Sequence, residues 1–191
     1  MNEMFKQKRM TVDEFIPWAM AQPRGRYELV NGEVIMMGPE RVAHVRIKTS
    51  VLLALVAAVR RAGVPCEAMG DGMTVRINER TAYEPDALVY CGPRLGGDDI
   101  EVPNPVIVVE VGSPSTLSTD TGMKFSGYFS LPSVRHYLIV DTEARAITHH
   151  ERGADGRIVS TLRTEGSLAL DPPGIAVFVA DMLSEDQGEG G

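Results

Sequence analysis

Three residues of this chain, Asp86, Glu110 and Lys124, have types and spacing that could do hydrolytic chemistry. Glu110 sits in Val106-Ile107-Val108-Val109-Glu110-Val111, a run apolar on both faces. A carboxylate there is costly to bury unless it is paired or holds a cation. Asp86 follows Pro85 at the start of Ala87–Tyr90 and precedes Glu110 by 24 positions, about what two neighbouring strands and their connection need. If those strands pair, the carboxylates converge. Two close carboxylates raise each other's pKa unless a divalent cation lies between them, and Mg²⁺ prefers one or two protein carboxylates plus waters and phosphate oxygens. Lys124 falls 14 positions after Glu110, one turn into a helix expected from about Asp120 to Leu131, with Tyr128 on the same helix face. A lysine beside a metal and two carboxylates can stabilise charge developing on a phosphorane or orient the attacking water. The plainer alternatives are a strand-end Glu reaching solvent, a Pro-Asp turn and an exposed helix lysine.

The elements that must position these residues can be read locally. Thr11-Val12-Asp13-Glu14 has capping-box spacing and opens a short helix through about Met20, limited by Pro17. Tyr27–Val30 and Glu33–Met36 flank Asn31-Gly32, the pattern of a type I′ hairpin. From Val42 to Ala62 there is no Gly or Pro, and Gly63 and Pro65 follow, which predicts one long buried helix. Extended runs are expected at Cys66–Met69, Met73–Ile77, Ala87–Tyr90, Val106–Val111, His136–Asp141, Ala146–Glu151 and Ile158–Arg163, with a short last element near Ile175–Leu183. This order implies an α/β fold, a mixed β-sheet flanked by helices with an N-terminal β-hairpin. Residues 1–183 are expected to form a single domain and 184–191 a disordered acidic, Gly-rich tail.

Composition limits the partners. The chain has 191 residues and a formal charge of −7, so no bulk basic field draws it to nucleic acid. Glu185, Asp186 and Glu189 of the tail carry three of those charges, leaving −4 for the rest. Between Arg41 and Arg61 the bases Arg46, Lys48 and Arg60 occur with no acid, so that helix is locally cationic. His44, Arg46 and Lys48 near its start could face phosphate, with Tyr128 a further substrate contact; a solvated rim on a core helix is the competing reading. Ser113, Ser115 and Thr116 lack a G-x-S-x-G elbow and read as a Pro-containing cap before the helix, not as nucleophiles. His136, His149 and His150 show no ligand spacing and read as structural. Cys66 and Cys91 read as inert thiols. No signal sequence or membrane-length apolar run is evident, so the expected compartment is the cytoplasm, without membrane contact. Aromatics are only 6% of the chain, which argues against a sugar site and a glycosidase.

Five ordered motifs carry a resemblance. They are Tyr27–Glu33, Glu84–Val89, Val108–Thr116, Asp120 with Lys124 and Tyr128, and Val134–Asp141. Together they resemble the Uma-two family, bacterial endonuclease-like proteins of the PD-(D/E)xK, restriction-endonuclease-like superfamily. The resemblance spans roughly residues 11 to 152. It implies a metal-dependent phosphodiesterase core acting on DNA or RNA, a homodimer, and Mg²⁺ or Mn²⁺ as cofactor. Asp86 and Glu110 take the places of the motif's metal ligands, and Glu28 matches the family's early Glu, a further metal carboxylate. The usual Lys two positions after the Glu is Gly112 here, and Lys124 matches the family's displaced lysine on the following helix. The Trp and Glu usual in the last motif are Leu138 and His136. The activity implied is metal-dependent endonucleolytic cleavage. The alternative is a nuclease fold that no longer cuts and serves as a nucleic-acid-binding or regulatory module.

Overall fold

The computed structural model describes residues 9–112 and 114–185, the latter without the side chains of 114–121. Helix α1 (Val12–Met20) starts on the expected capping box: Thr11 Oγ1 accepts from the Glu14 amide and Glu14 reaches back to the Thr11 amide. Strands β1 (Tyr27–Val30) and β2 (Glu33–Met36) pair across Asn31 at φ 51° and Gly32 at φ 84°, the two left-handed residues a type I′ turn requires. Helix α2 (Val42–Ala62) stops on Gly63 at φ 64°. Ile47, Val51, Leu55, Ala58 and Val59 form its buried stripe, and Lys48 joins them out of reach of solvent. By length and composition α2 could also cross a membrane, but here its stripe packs on a sheet.

The chain continues through β3 (Glu67–Gly70), β4 (Val75–Asn78), β5 (Thr81–Tyr83), β6 (Ala87–Tyr90), β7 (Pro105–Gly112), α3 (Pro114–Ser130), β8 (His136–Asp141), β9 (Ala146–Arg152) and β10 (Ile158–Arg163). It closes with β11 (Ser167–Leu170), β12 (Ile175–Phe178) and α4 (Val179–Met182). Six strands form the central sheet in the order β10-β9-β8-β7-β6-β3. Only β7 and β8 are parallel, joined through α3, because a parallel pair needs a crossover. A second sheet runs β2-β1-β5-β4, and β11 pairs with β12 alone.

Period-two alternation in β6, β7 and β8 divides the apolar residues between two cores. Val89, Ile107, Val109, Leu138 and Val140 face α2 and the β11-β12 hairpin, whereas Leu88, Val108, Tyr137 and Ile139 face α3 and the second sheet.

The sequence reading differs from the structure in four places. The strands divide into two main sheets instead of one. The short β5 and β11 escaped notice, β5 because three residues between a turn and Pro85 show no period. Helix α3 begins at Pro114, six residues before the expected Asp120, since proline suits a first helical position. Cys66 and Cys91 are not free thiols but form a disulfide. In the β3/β6 ladder Glu67 pairs with Tyr90, so the next cross-strand pair is Cys66 and Cys91, with Cα atoms 4.1 Å apart. Ser113, the side chains of Ser115, Thr116 and Asp120, and residues 186–191 of the tail lie outside the described residues. Ser184 is placed, its carbonyl accepting from Ser50 Oγ at 2.7 Å.

Candidate active site

Five elements converge on one cleft. Strands β6 and β7 pair as expected, Ala87 opposite Val109, with Asp86 immediately ahead of β6. Asp86 donates its amide to the Val109 carbonyl and accepts the Val111 amide on Oδ2 at 2.6 Å. That locks the carboxylate against the β7 backbone. Glu110 lies between β6 and β8, and its alternation with Val109 and Val111 turns it away from the α2 core towards α3.

Helix α3 brings Lys124 and Tyr128 on one face, four residues apart. Lys124 Nζ lies 3.0 Å from Glu110 Oε1 and 2.9 Å from Glu28 Oε1, and the Tyr128 hydroxyl donates to Glu110 Oε1 at 2.7 Å. Glu28 arrives on β1 and also accepts the Glu84 amide at 2.9 Å. The close seat of α3 depends on Gly127, where a Cβ would lie 2.7 Å from the Tyr83 ring. Tyr83 packs edge-on against Tyr128 and has Lys124 Nζ above its ring, 5.5 Å from the centroid.

The electrostatics follow from this crowding. Burial pushes the Glu110 carboxyl up to about 7; Lys124 opposes the shift, while Asp86 and Glu28 add to it. Burial works against a charged Lys124, but Glu110 and Glu28 outweigh it and hold the ammonium above its ordinary value. Burial, reinforced by Glu110 and Glu28, raises the Tyr128 phenol far enough to keep it a proton donor.

Behind this group stands a second layer, of which the sequence singled out only Lys48, and that as a phosphate contact. Lys48 Nζ lies 2.8 Å from Asp86 Oδ1, 2.6 Å from Glu40 Oε1 and 2.7 Å from Asp71 Oδ2. Arg26 holds Asp71 at 2.7 Å and Glu84 at 3.3 Å. Asp71 is in an Asp-Gly turn, Glu84 next to Pro85, and Glu40 just ahead of the acid-free stretch. Locally those positions read as turn and boundary residues.

Asp86, Glu110, Glu28 and Lys124 therefore come together, in a cleft of about 690 Å³ that His44 also lines. Two expected substrate contacts sit elsewhere than on a surface. Lys48 is 6% exposed and fully engaged by carboxylates, and Tyr128 is 0% exposed, so each holds a carboxylate in place and neither is an open phosphate contact. Arg46 is exposed but outside the cleft lining, which takes Arg41 from the same stretch. His136 and His149 are buried, their rings joined at 2.9 Å, as structural histidines would be.

The donors suit a hard divalent cation. Six carboxylates (Glu28, Glu40, Asp71, Glu84, Asp86 and Glu110) meet three cations (Arg26, Lys48 and Lys124), an excess of three negative charges when all are ionised. Among the described residues the bonds to Glu28 and Glu110 fall on Oε1 of each, and both carboxylates line the cleft as oxygen donors of the kind such an ion prefers.

Comparison with known proteins adds four findings. The "Uncharacterized protein slr1290" of Synechocystis is 28% identical over 177 residues, covering 92% of this chain and 91% of the relative. The "Uncharacterized protein sll1609" of the same organism is 27% identical over 139 residues, covering 70% and 76%. A crystal structure from Anabaena variabilis, described as a "putative nuclease belonging to DUF820", superposes with a TM-score of 0.70 at 14% identity, over 92% of this chain and 98% of that one, so the two share a fold. The model of the Uma2 family, described as "Putative restriction endonuclease", matches residues 12–182, and the chain belongs to that family.

Proposed function

We propose that the protein is a divalent-metal-dependent endonuclease cutting phosphodiester bonds in DNA. Asp86 and Glu110 would hold Mg²⁺ or Mn²⁺, and Glu28 would be a further carboxylate of that site. The observation that carries this reading is the ammonium of Lys124 set between Glu110 and Glu28 in an acidic cleft that Asp86 also lines. Such an ion, when bound, polarises a phosphoryl oxygen and acidifies a coordinated water.

The chain's own residues do the rest. The Val111 amide and Lys48 fix the two oxygens of Asp86, so its orientation costs nothing at the moment of reaction. Tyr128 and Lys124 fix Oε1 of Glu110 in the same way. Lys124 keeps its proton and acts as a fixed positive charge towards the negative charge that builds on the phosphate; it is no general base. No serine or cysteine nucleophile is required. The acidic cleft makes substrate affinity depend on bound cation.

Plasmid cleavage with Mg²⁺ tests the assignment. Asp86→Ala and Glu110→Ala are expected to abolish it, whereas Lys124→Ala should lose turnover and retain metal affinity by calorimetry. Full Mg²⁺-dependent cleavage by either carboxylate variant contradicts the site. A native chain that binds neither Mg²⁺ nor Mn²⁺, cuts no nucleic acid and still binds DNA would be a nuclease fold used as a binding module.

A further inference from the structure

Ile35 lies directly across from Glu28 in the β1/β2 ladder, and side chains opposite each other in an antiparallel pair stand on the same face. The register therefore sets an apolar side chain beside a carboxylate of the proposed metal site. Ile35 is 46% exposed and Met36 68%. Met37 and Pro39 continue this wall into the loop ahead of α2, and all four residues line the cleft. Large apolar side chains held open to water in a cleft mark a surface that takes a ligand.

The charges of the cleft narrow the choice of ligand. Among the described residues its cationic lining is Arg41 and Lys124, and Lys124 is engaged by Glu28 and Glu110. Arg41 is exposed and enters no ion pair among the described residues. A protein that grips duplex DNA by its backbone neutralises several phosphates with Lys and Arg. One free guanidinium among acids does not do that. The cleft volume of about 690 Å³ is that of a pocket for a small ligand, room for a nucleotide or two and far short of a double helix. In an unpaired strand the base faces are turned outward and pack on side chains, whereas in a duplex they are stacked inside with phosphate on the surface. Ile35 and Met36 offer apolar area to such a face, and the flexible thioether of Met36 adapts to any base.

We infer that the cleft takes an unpaired nucleic-acid strand, with one base packed on Ile35 and Met36 and a flanking phosphate on Arg41. This rests on the proposed nuclease reading and narrows its substrate to strands that are not base-paired. Negatively supercoiled plasmid offers such stretches; the same plasmid relaxed does not.

A short fluorescein-labelled single strand of mixed sequence and its duplex test this. Binding is read by fluorescence anisotropy in Ca²⁺, which takes the same oxygen donors, and cleavage is read in Mg²⁺. The single strand is expected to bind and be cut at least ten-fold better than the duplex, and supercoiled plasmid to be nicked faster than relaxed plasmid. Its affinity should fall with salt on a shallow slope, about −0.7 for each phosphate held. Met36→Ser should weaken single-strand binding at least five-fold at every salt concentration. Arg41→Gln should weaken it and flatten the slope. Both positions are exposed, so circular dichroism should show the fold unchanged. A duplex bound and cut as well as the single strand, or native single-strand affinity in both variants, overturns the inference and leaves Mg²⁺-dependent cleavage standing. Single-strand binding that both variants lose, with no nucleic acid cut in Mg²⁺ or Mn²⁺, contradicts the proposed function alone. Neither binding nor cleavage contradicts both. A dimer in sedimentation velocity that Met36→Ser takes apart would give the wall to a second copy of the chain and overturn the inference.

Discussion

Lys48 and Lys124 perform parallel tasks at residue scale, each placing one ammonium among carboxylates that would otherwise repel. Lys48→Met keeps most of the volume but takes the ammonium away from Glu40, Asp71 and Asp86, leaving Arg26 on Asp71 and the Val111 amide on Asp86. The expected loss is on the order of 2–3 kcal/mol of stability in metal-free buffer, below the full cost of breaking a buried pair because Asp71 is partly exposed. Divalent cation should recover part of that loss, read as a melting temperature that rises with Mn²⁺ more steeply in Lys48→Met than in the native chain. A melting curve of Lys48→Met indifferent to Mn²⁺ would mean these carboxylates do not take a cation. Glu110 was legible because an acid in an apolar strand is unusual wherever it occurs, and Asp86, whose Pro-Asp alone reads as a turn, through its spacing of 24 positions from Glu110. Lys48 was misplaced for an equally physical reason: its partners Glu40 and Asp71 come from loops distant in sequence, and a helical lysine is ordinarily solvated.

Two element-scale features make predictions of their own. The approach of α3 to β5 is set by Gly127, so Gly127→Ala must push the helix or the Tyr83 ring aside. Turnover should fall at least ten-fold, as expected for a displacement of about 1 Å at a catalytic group, with the fold retained by circular dichroism. Native turnover in Gly127→Ala would show that the seat of α3 is not critical.

The second feature is the buried pair His136–His149 between β8 and β9. Burial pushes both pKa values down to about 4, in His149 with help from the neighbouring His136. In the unfolded chain these rings bind protons near 6.5, so between pH 6.5 and 4 the unfolded state binds more protons and stability falls as pH falls. The slope reaches at most about 1.4 kcal/mol per pH unit for each ring. Denaturant melts at pH 7 and pH 5 measure it, and His149→Gln should flatten the difference. Helix α2, the hairpin and β8 were legible because their signals are local: Gly63 for the stop, Asn31-Gly32 for the turn, a near-continuous apolar run for the strand. The start of α3 at Pro114 was missed because Gly112-Ser113-Pro114 reads as a loop as readily as a helix entry.

For the whole molecule, the −7 charge takes on a specific distribution. Six acids line the cleft, Glu143 and Glu185 joining Glu28, Glu40, Asp86 and Glu110, against Arg41 and Lys124, while Arg60 and Arg61 lie at the far end of α2. The helix that looked cationic in sequence gives the cleft only Arg41 and His44 in its first turns. The mixed sheet and flanking helices were legible, because the order of strong elements constrains topology. The division into two sheets was not, since β1 meets β5 across some fifty residues and nothing local announces that pairing. The same non-local pairing is what carries Glu28 to Lys124 and completes the site.

An acidic cleft that binds and cuts a polyanion must do so through bound cation, and nicking of supercoiled plasmid by the native chain and by Glu110→Gln, across a Mg²⁺ series with an EDTA control, addresses this most directly. Native nicking that rises with Mg²⁺, vanishes in EDTA and falls by at least a thousand-fold in Glu110→Gln is the predicted result. Nicking that survives EDTA, or that Glu110→Gln performs as well as the native chain, would contradict it.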